Sequence, residues 1–420
     1  MCDIAPLTGS RIPWDALVEN LRDNVPVEMR IQLVPLCNEL RSRCESNELP
    51  PDRRIEDSLL RLEACLDQSW EALNTGYWKD VPLKHRYCYT LCSTLKCIFL
   101  EIQCAASEGR SDTDKTEKII EIIKQVDRAI LLGAPLVNAS DLMTTMASRL
   151  NEFLSHPSSE SSKCNEIPID DSEICKDLLP GLVWIQRLEC PSMETFYRDL
   201  FKPKTPAVLE GCLSHWKALS SWKNIDYLMK VAGSRTVPIE IGSRYTEEDW
   251  SQSLVTFADF LRSHFSKKSE KVGYLAQHQL FEQIPELKED FGIPDYCNFS
   301  DGDGDATRPD INAWFGPRGT LSPLHFDPKN NLLCQVFGCK RVILYRPEEG
   351  PNLYSYETRM LSNTAQVDPV NPDFDKWPNF EKSKGSMCYL GPGDVLYIPP
   401  GWWHHVESLA PSFSISFWWC

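Results

Sequence analysis

Histidine is scarce in this chain, with 8 among 420 residues. Two short clusters hold three of those histidines. One is Ser322-Pro323-Leu324-His325-Phe326-Asp327 and the other is Gly401-Trp402-Trp403-His404-His405-Val406. His325 and Asp327 are two residues apart, so on a strand their side chains share a face. Two imidazoles and one carboxylate on one side of a metal leave the opposite side open. That facial set suits non-haem Fe(II) and leaves positions for a small cosubstrate and O2. A His-x-Asp alone is a weak signal, because most histidines sit at surfaces or as hydrogen-bonded core groups. Context strengthens it, since each cluster adjoins an apolar run where an unpaired polar side chain would cost free energy. His404 and His405 point to opposite faces of a strand, and periodicity does not choose between them.

The elements that must position these residues lie in the second half. From 178 to 420, glycine, proline and aromatics rise and short β-type runs alternate with turn signals. Examples are 236–241, 331–345 with a break at Phe337-Gly338, 394–398, and 413–419, where large and small residues alternate as on a strand with one packed face. Helical stretches persist at 192–200 and 255–265. An antiparallel β-barrel or sandwich with helical decoration is expected there. The first 155 residues read as helical. Ile55, Leu59, Leu62, Leu66, Trp70 and Leu73 recur at three- and four-residue spacing, and Gly76 follows where a helix should stop. Further helices are expected over 87–103, which is apolar on most faces, and over 118–132 and 140–154. Residues 156–177 are serine-rich, then acidic, without apolar periodicity, and read as a flexible linker.

Composition excludes several classes. The chain is 42% hydrophobic and 25% charged, with 13 Trp, 17 Phe and 13 Tyr, which is ample core material. Its formal charge of −16 argues against coating a nucleic acid and suits a basic peptide or protein partner. No run approaches the ~18 apolar residues of a membrane span. The start lacks a basic segment followed by an apolar one, so no secretory signal is expected. The 17 cysteines have no Cys-x-x-Cys pair, which speaks against a zinc finger and for reduced thiols. Asp301, Asp303 and Asp305 hint at a calcium loop, but Ala306 and Asn312 stand where glycine and glutamate are needed.

The stretch from 178 to 420 resembles the JmjC-domain 2-oxoglutarate oxygenases. The resemblance is carried by Asn312-Ala313-Trp314-Phe315-Gly316-Pro317, by Ser322 to Pro328, by Gly391-Pro392-Gly393-Asp394-Val395-Leu396-Tyr397-Ile398-Pro399-Pro400, by Trp402-Trp403-His404-His405-Val406, and by Phe417-Trp418-Trp419. With the helical first half, Gly273-Tyr274-Leu275-Ala276-Gln277-His278 and the Trp-Trp-Cys terminus, it is similar to the small hydroxylase branch of that family. The resemblance implies an α+β protein in which a helical N-terminal domain (1–155) precedes a double-stranded β-helix, the cupin-like jelly roll (178–420).

It further implies Fe(II), 2-oxoglutarate and O2 as cofactor and cosubstrates, with His325, Asp327 and His404 as metal ligands and His405 packed behind. Lys340 would take the distal carboxylate of 2-oxoglutarate, while Arg341 faces away. Tyr274, Ser322 and Asn331 match cosubstrate-contacting positions. Glu240, with Tyr245, Trp250 and Trp314, would form a substrate pocket: a carboxylate takes a guanidinium through two parallel hydrogen bonds, and arginine stacks on aromatic faces. The activity implied is hydroxylation of arginine at C3 in protein substrates. The alternatives are demethylation of methyl-lysine on histone tails, for which an aromatic cage also serves, and a silent binding module. The resemblance places the protein in the nucleus, with the cytoplasm also open, away from membranes and without direct nucleic-acid binding. It leaves the helical half as a surface for a protein partner.

Overall fold

The computed structural model describes residues 12–46, 52–77, 80–106, 112–154, 165–169, 174, 176–242, 250–265, 272–300 and 308–420. Tyr245 and the acidic loop residues Asp301, Asp303 and Asp305 lie outside the described residues. The chain divides into two compact units. One comprises Met1–Ser161 with Ala232–Thr236, and the other Ser162–Val231 with Val237–Cys420.

The first unit is helical: α1 (Trp14–Asp23), α2 (Val27–Ser46), α3 (Asp52–Leu73), α4 (Leu83–Ala106), α5 (Asp112–Leu132) and α6 (Leu142–Leu154). Its centre is α4, which packs against α3 and α5. Leu91, Cys92, Leu95, Ile98, Phe99 and Ile102 of α4 are all buried. A helix surrounded by others has little polar face to keep, which is why its sequence is apolar on most faces. The α3 stripe is buried at Ile55, Leu62 and Leu66, but Trp70 is 51% exposed and falls off the packed face.

The second unit is built on strands β1 (Leu182–Trp184), β2 (Arg187–Glu189), β3 (Ala207–Glu210), β4 (Thr236–Ile241), β5 (Ser251–Thr256), β6 (Gly273–His278), β7 (Asp310–Gly316), β8 (Leu321–Phe326), β9 (Asn330–Phe337), β10 (Lys340–Tyr345), β11 (Gly385–Leu390), β12 (Val395–Ile398), β13 (Trp403–Ser408) and β14 (Ser412–Trp419). They form two sheets, of order β1-β11-β10-β13-β8 and β2-β3-β12-β9-β14-β7-β6-β4-β5. Val342, Leu344, Leu390 and Val406 from the first sheet share one buried cluster with Val208, Leu333, Leu396 and Ile398 from the second. The two sheets therefore face each other across a common core, the jelly-roll arrangement the resemblance implied.

β14 departs from the one-faced strand expected for it. Phe413, Ile415, Phe417 and Trp419 are buried, and so are Ser412, Ser414 and Ser416. The strand lies between β9 and β7 inside the larger sheet, so both faces are covered. Its large residues meet an aromatic layer, with Phe413 stacked on Phe315 at 4.7 Å and tilted against Trp222 at 4.5 Å. Its small residues lie on the face of their cross-strand partners, Ser414 opposite Trp314 and Ser416 opposite Leu333. Within the segment read as linker, 165–167 are held in place: Glu166 bridges Asn224, and the Ile167 N–H donates to the Lys223 carbonyl at 2.8 Å.

Candidate active site

His404 on β13 sits directly opposite His325 on β8. The register between these strands is irregular. Ser322 pairs with Val406 and His325 with His404, so β8 spends three residues where β13 spends two. That bulge surrounds Pro323, which has no N–H to give to a ladder. Its effect is decisive. Strict alternation from Ser322 would send His325 to the outer face. The bulge brings both to the inner face and leaves Leu324 in the outer core.

Asp327 follows β8, and its carbonyl accepts from Gly401 N–H at 2.8 Å, which ties the two ligand-bearing segments together. His325, Asp327 and His404 each offer one ligand atom, all within 4.8 Å of one another. The His404 and His325 Nε2 atoms lie 3.6 and 3.8 Å from Asp327 Oδ2.

The donor set fits a divalent cation. The Nδ1 of His325 donates to the Pro323 carbonyl at 2.7 Å, and that of His404 to the Trp402 carbonyl at 3.0 Å. A carbonyl only accepts, so each Nδ1 carries the proton and each Nε2 keeps its lone pair. Burial first, and then His325 beside it, push the His404 imidazole down to about 4, so it is neutral at physiological pH. Two lone pairs and an anionic oxygen thus converge. Asp327 Oδ2 is buried without a hydrogen-bond partner. A buried carboxylate oxygen in that state is costly unless a cation is bound. His405 pairs across the strand with Ile343, on the opposite face from His404.

Deeper between the sheets, Lys340 on β10 is 1% exposed. Its Nζ reaches the Tyr274 hydroxyl at 3.5 Å. Burial pushes this lysine down to about 7. Arg341 points the other way, into an ion pair with Glu407 on the outer face. Tyr274, Ser322, Asn331 and Lys340 line one pocket together with His325, Asp327 and His404. A second cavity, of about 390 Å³, opens from its mouth and shares Tyr274, Trp314, Ser322, His325, Asp327 and Trp418 with it. Glu240 lines this outer cavity and stands opposite Tyr274 in the ladder between β4 and β6. Burial raises its carboxyl, and Trp250 Nε1 donates to it at 3.2 Å. Trp250 touches Glu240 but is not part of the cavity lining.

Other wall residues escaped the sequence reading. Trp418 shares the inner face of β14 with Ser414 and Ser416, and the alternation of small residues with one Trp on that face is the signal that marks it. Met360, Leu361, Asn363 and Thr364 also line the outer cavity. Their segment lies along β8, with Thr364 bridging His325 and the Phe326 N–H donating to Asn363 at 3.0 Å. No periodicity in that stretch announces it, because its contacts with β8 are backbone ones apart from the Asn363 amide, which donates to the Phe326 carbonyl at 3.0 Å.

A family profile described as a cupin-like domain matches residues 193–420. Over 372 residues the chain is 41% identical to Jumonji C domain-containing protein 5 of Drosophila melanogaster, covering 88% of each chain. It is 42% identical over 366 residues to lysine-specific demethylase 8 of Danio rerio, covering 86% of this chain and 87% of that one. With lysine-specific demethylase JMJ30 of Arabidopsis thaliana it shares 37% over 383 residues, 85% of each.

Proposed function

The chain belongs to the cupin-like JmjC family of Fe(II)- and 2-oxoglutarate-dependent oxygenases, and from that premise we propose that it hydroxylates arginine side chains at C3 in protein substrates. His325, Asp327 and His404 would hold the metal. When bound, Fe(II) with 2-oxoglutarate and O2 supplies the oxidising power for inserting oxygen into a C–H bond. The protein's own groups do the rest. Lys340, with the Tyr274 hydroxyl beside it, receives the distal carboxylate of 2-oxoglutarate at the closed end of the pocket, and Asn331 and Ser322 flank the cosubstrate. The apolar walls exclude water.

Glu240 carries the choice of substrate. It is a partly buried acid on the wall of the outer cavity, and that cavity also contains His325 and Asp327. A guanidinium entering that cavity, which Trp314 and Trp418 also line, would meet that carboxylate, which supports arginine over a neutral side chain. The net charge of −16 favours a basic peptide in the same sense.

Demethylation of methyl-lysine, including that on histone tails, is the second reading. Two of the relatives reported above are named as lysine-specific demethylases, and the same aromatic walls would suit a methylated ammonium. The nucleus is the place of action that goes with either reading.

Mass spectrometry separates them. Purified protein with Fe(II) and 2-oxoglutarate is expected to add one oxygen to arginine in basic peptides. Glu240→Gln is expected to lower kcat/KM for such peptides by about 100-fold, the loss of one buried charge-assisted contact, while cosubstrate affinity stays unchanged. Loss of methyl groups from methyl-lysine peptides, with arginine untouched, would reverse the assignment.

A further inference from the structure

Away from the cavity, two thiols come together where neighbouring strands end. β2 and β3 run parallel, with Glu189 opposite Glu210. Cys190 follows β2 directly, and Cys212 comes two residues after β3. Both converge on one carbonyl. The Cys190 N–H donates to the Glu210 oxygen at 2.8 Å, and the Cys212 thiol donates to the same atom at 3.4 Å. A β-carbon built on the intervening Gly211 would lie 3.9 Å from Cys190 Cβ. Tyr296 fastens both segments: its hydroxyl donates to the Pro191 carbonyl at 2.6 Å and sits 3.8 Å from Cys212 Sγ.

The two cysteines differ in access. Cys190 is exposed and Cys212 half-buried; among the described residues the other exposed thiol is Cys420. Cys190 is also held at φ +32, a left-handed conformation that a residue with a side chain rarely adopts. The surrounding contacts, rather than local preference, therefore present this thiol to solvent next to a second one.

We propose that Cys190 and Cys212 form a redox-sensitive dithiol, a modification site that a peroxide converts to a disulfide. The exposed Cys190 thiol is oxidised by hydrogen peroxide to a sulfenic acid, and one water leaves. The Cys212 sulfur then attacks the Cys190 sulfur. The S–S bond forms, the S–O bond breaks, and the hydroxyl departs with the Cys212 proton as a second water. Two thiols lose two electrons in all, and one peroxide gains them. The bond joins the ends of two parallel strands. Burial pushes the Cys212 thiol up to about 11, so the second step is slow at neutral pH and accelerates as pH rises, because the thiolate is the attacking form.

The test uses the whole 420-residue chain without added iron, so that metal-driven peroxide chemistry plays no part. After peroxide treatment, free thiols are alkylated and the protein is digested with trypsin without reductant. The expected product is peptide 188–198 joined to peptide 205–217, lighter than the sum of the two by two hydrogens. Cys212→Ser keeps a hydroxyl able to donate to the Glu210 carbonyl. It is expected to leave the Cys190 sulfenic acid standing, where a 1,3-diketone probe captures it. Cys190→Ser is expected to leave Cys212 fully alkylatable. Full alkylation of both cysteines in the peroxide-treated parent would overturn the proposal. So would direct passage of Cys190 to the sulfinic acid at the same rate in the parent and in Cys212→Ser.

Discussion

A single buried ammonium concentrates the physical argument for a dicarboxylate cosubstrate. Lys340 is 1% exposed, and burial alone lowers it from the ordinary 10.5 to about 7. The sign of the linkage follows. Between about pH 7 and pH 10 the unfolded lysine is protonated and the folded one largely is not, so stability rises with pH across that window. Lys340→Met, which keeps the length of the side chain, is expected to remove that slope and leave the protein at least as stable at pH 7, because an uncompensated buried charge is gone. Chemical denaturation at several pH values checks this. The same variant is expected to weaken 2-oxoglutarate binding by 100-fold or more, the worth of a buried charge-assisted contact. In the parent, binding is expected to take up a proton above about pH 7, since the incoming carboxylate restores the ammonium. Titration calorimetry in buffers of different ionisation enthalpy reads that proton directly. Unchanged binding in Lys340→Met would remove Lys340 from the cosubstrate pocket. At this scale the sequence was informative because residue type carries the chemistry, but His-x-Asp was a weak signal alone and a strand lysine ordinarily snorkels at an edge, so the resemblance to the JmjC family was needed to single them out.

Strands set the spacing that residue types alone leave open, and turns set the strands. β9 brings Asn331 and β10 brings Lys340, and the sharp return between them runs through Gly338 at φ +80. A β-carbon there would lie 2.0 Å from the Pro411 carbonyl oxygen. Gly338→Ala is therefore expected to destabilise the second unit by about 3 kcal/mol or more, from a left-handed conformation combined with a backbone clash that has no flexible partner to yield. It is also expected to weaken 2-oxoglutarate binding more than it affects any site beyond β10. Urea denaturation and a cosubstrate titration on the same variant check both. The Phe337-Gly338 break was legible because glycine inside an apolar run marks a turn. The bulge at Pro323 was not. The sequence shows only a proline in a strand, and alternation would have placed Ser322 and His325 on opposite faces. The pairing with β13 puts them on one.

The whole molecule divides into a helical unit and a β unit, and the His325, Asp327 and His404 set that could hold a metal lies wholly within the second. Adding a divalent metal with 2-oxoglutarate should accordingly slow hydrogen exchange in β6 to β10 and in β13, which carry the ligands and the cosubstrate pocket. Exchange in α1 to α6 is expected to stay as it was. Protection spreading through the helices would mean that the helical unit reads the state of the active site. Chelation should reverse the change, and His404→Ala should abolish it, whereas His405→Ala should not, because His405 projects from the opposite face of β13.

By itself the sequence pointed to the class of chemistry, through local residue types and through motifs that resemble those of the JmjC oxygenases. Metal-ligand types, their His-x-Asp spacing and the β-rich setting are local properties, readable because side-chain chemistry and strand periodicity need no knowledge of distant partners. It also marked the turn at Gly338, while Lys340 and Glu240 stood out only through the resemblance to the JmjC family. Tertiary structure decided which atoms meet. A pairing of strands some eighty residues apart in sequence sets His404 against His325, and one bulge turns His325 inward. A segment held along β8 and carrying Met360 and Asn363 lines the cavity, and two cysteines after different strands become neighbours. None of this is encoded in a window of sequence, because register and bulges are fixed by what lies on the adjacent strand.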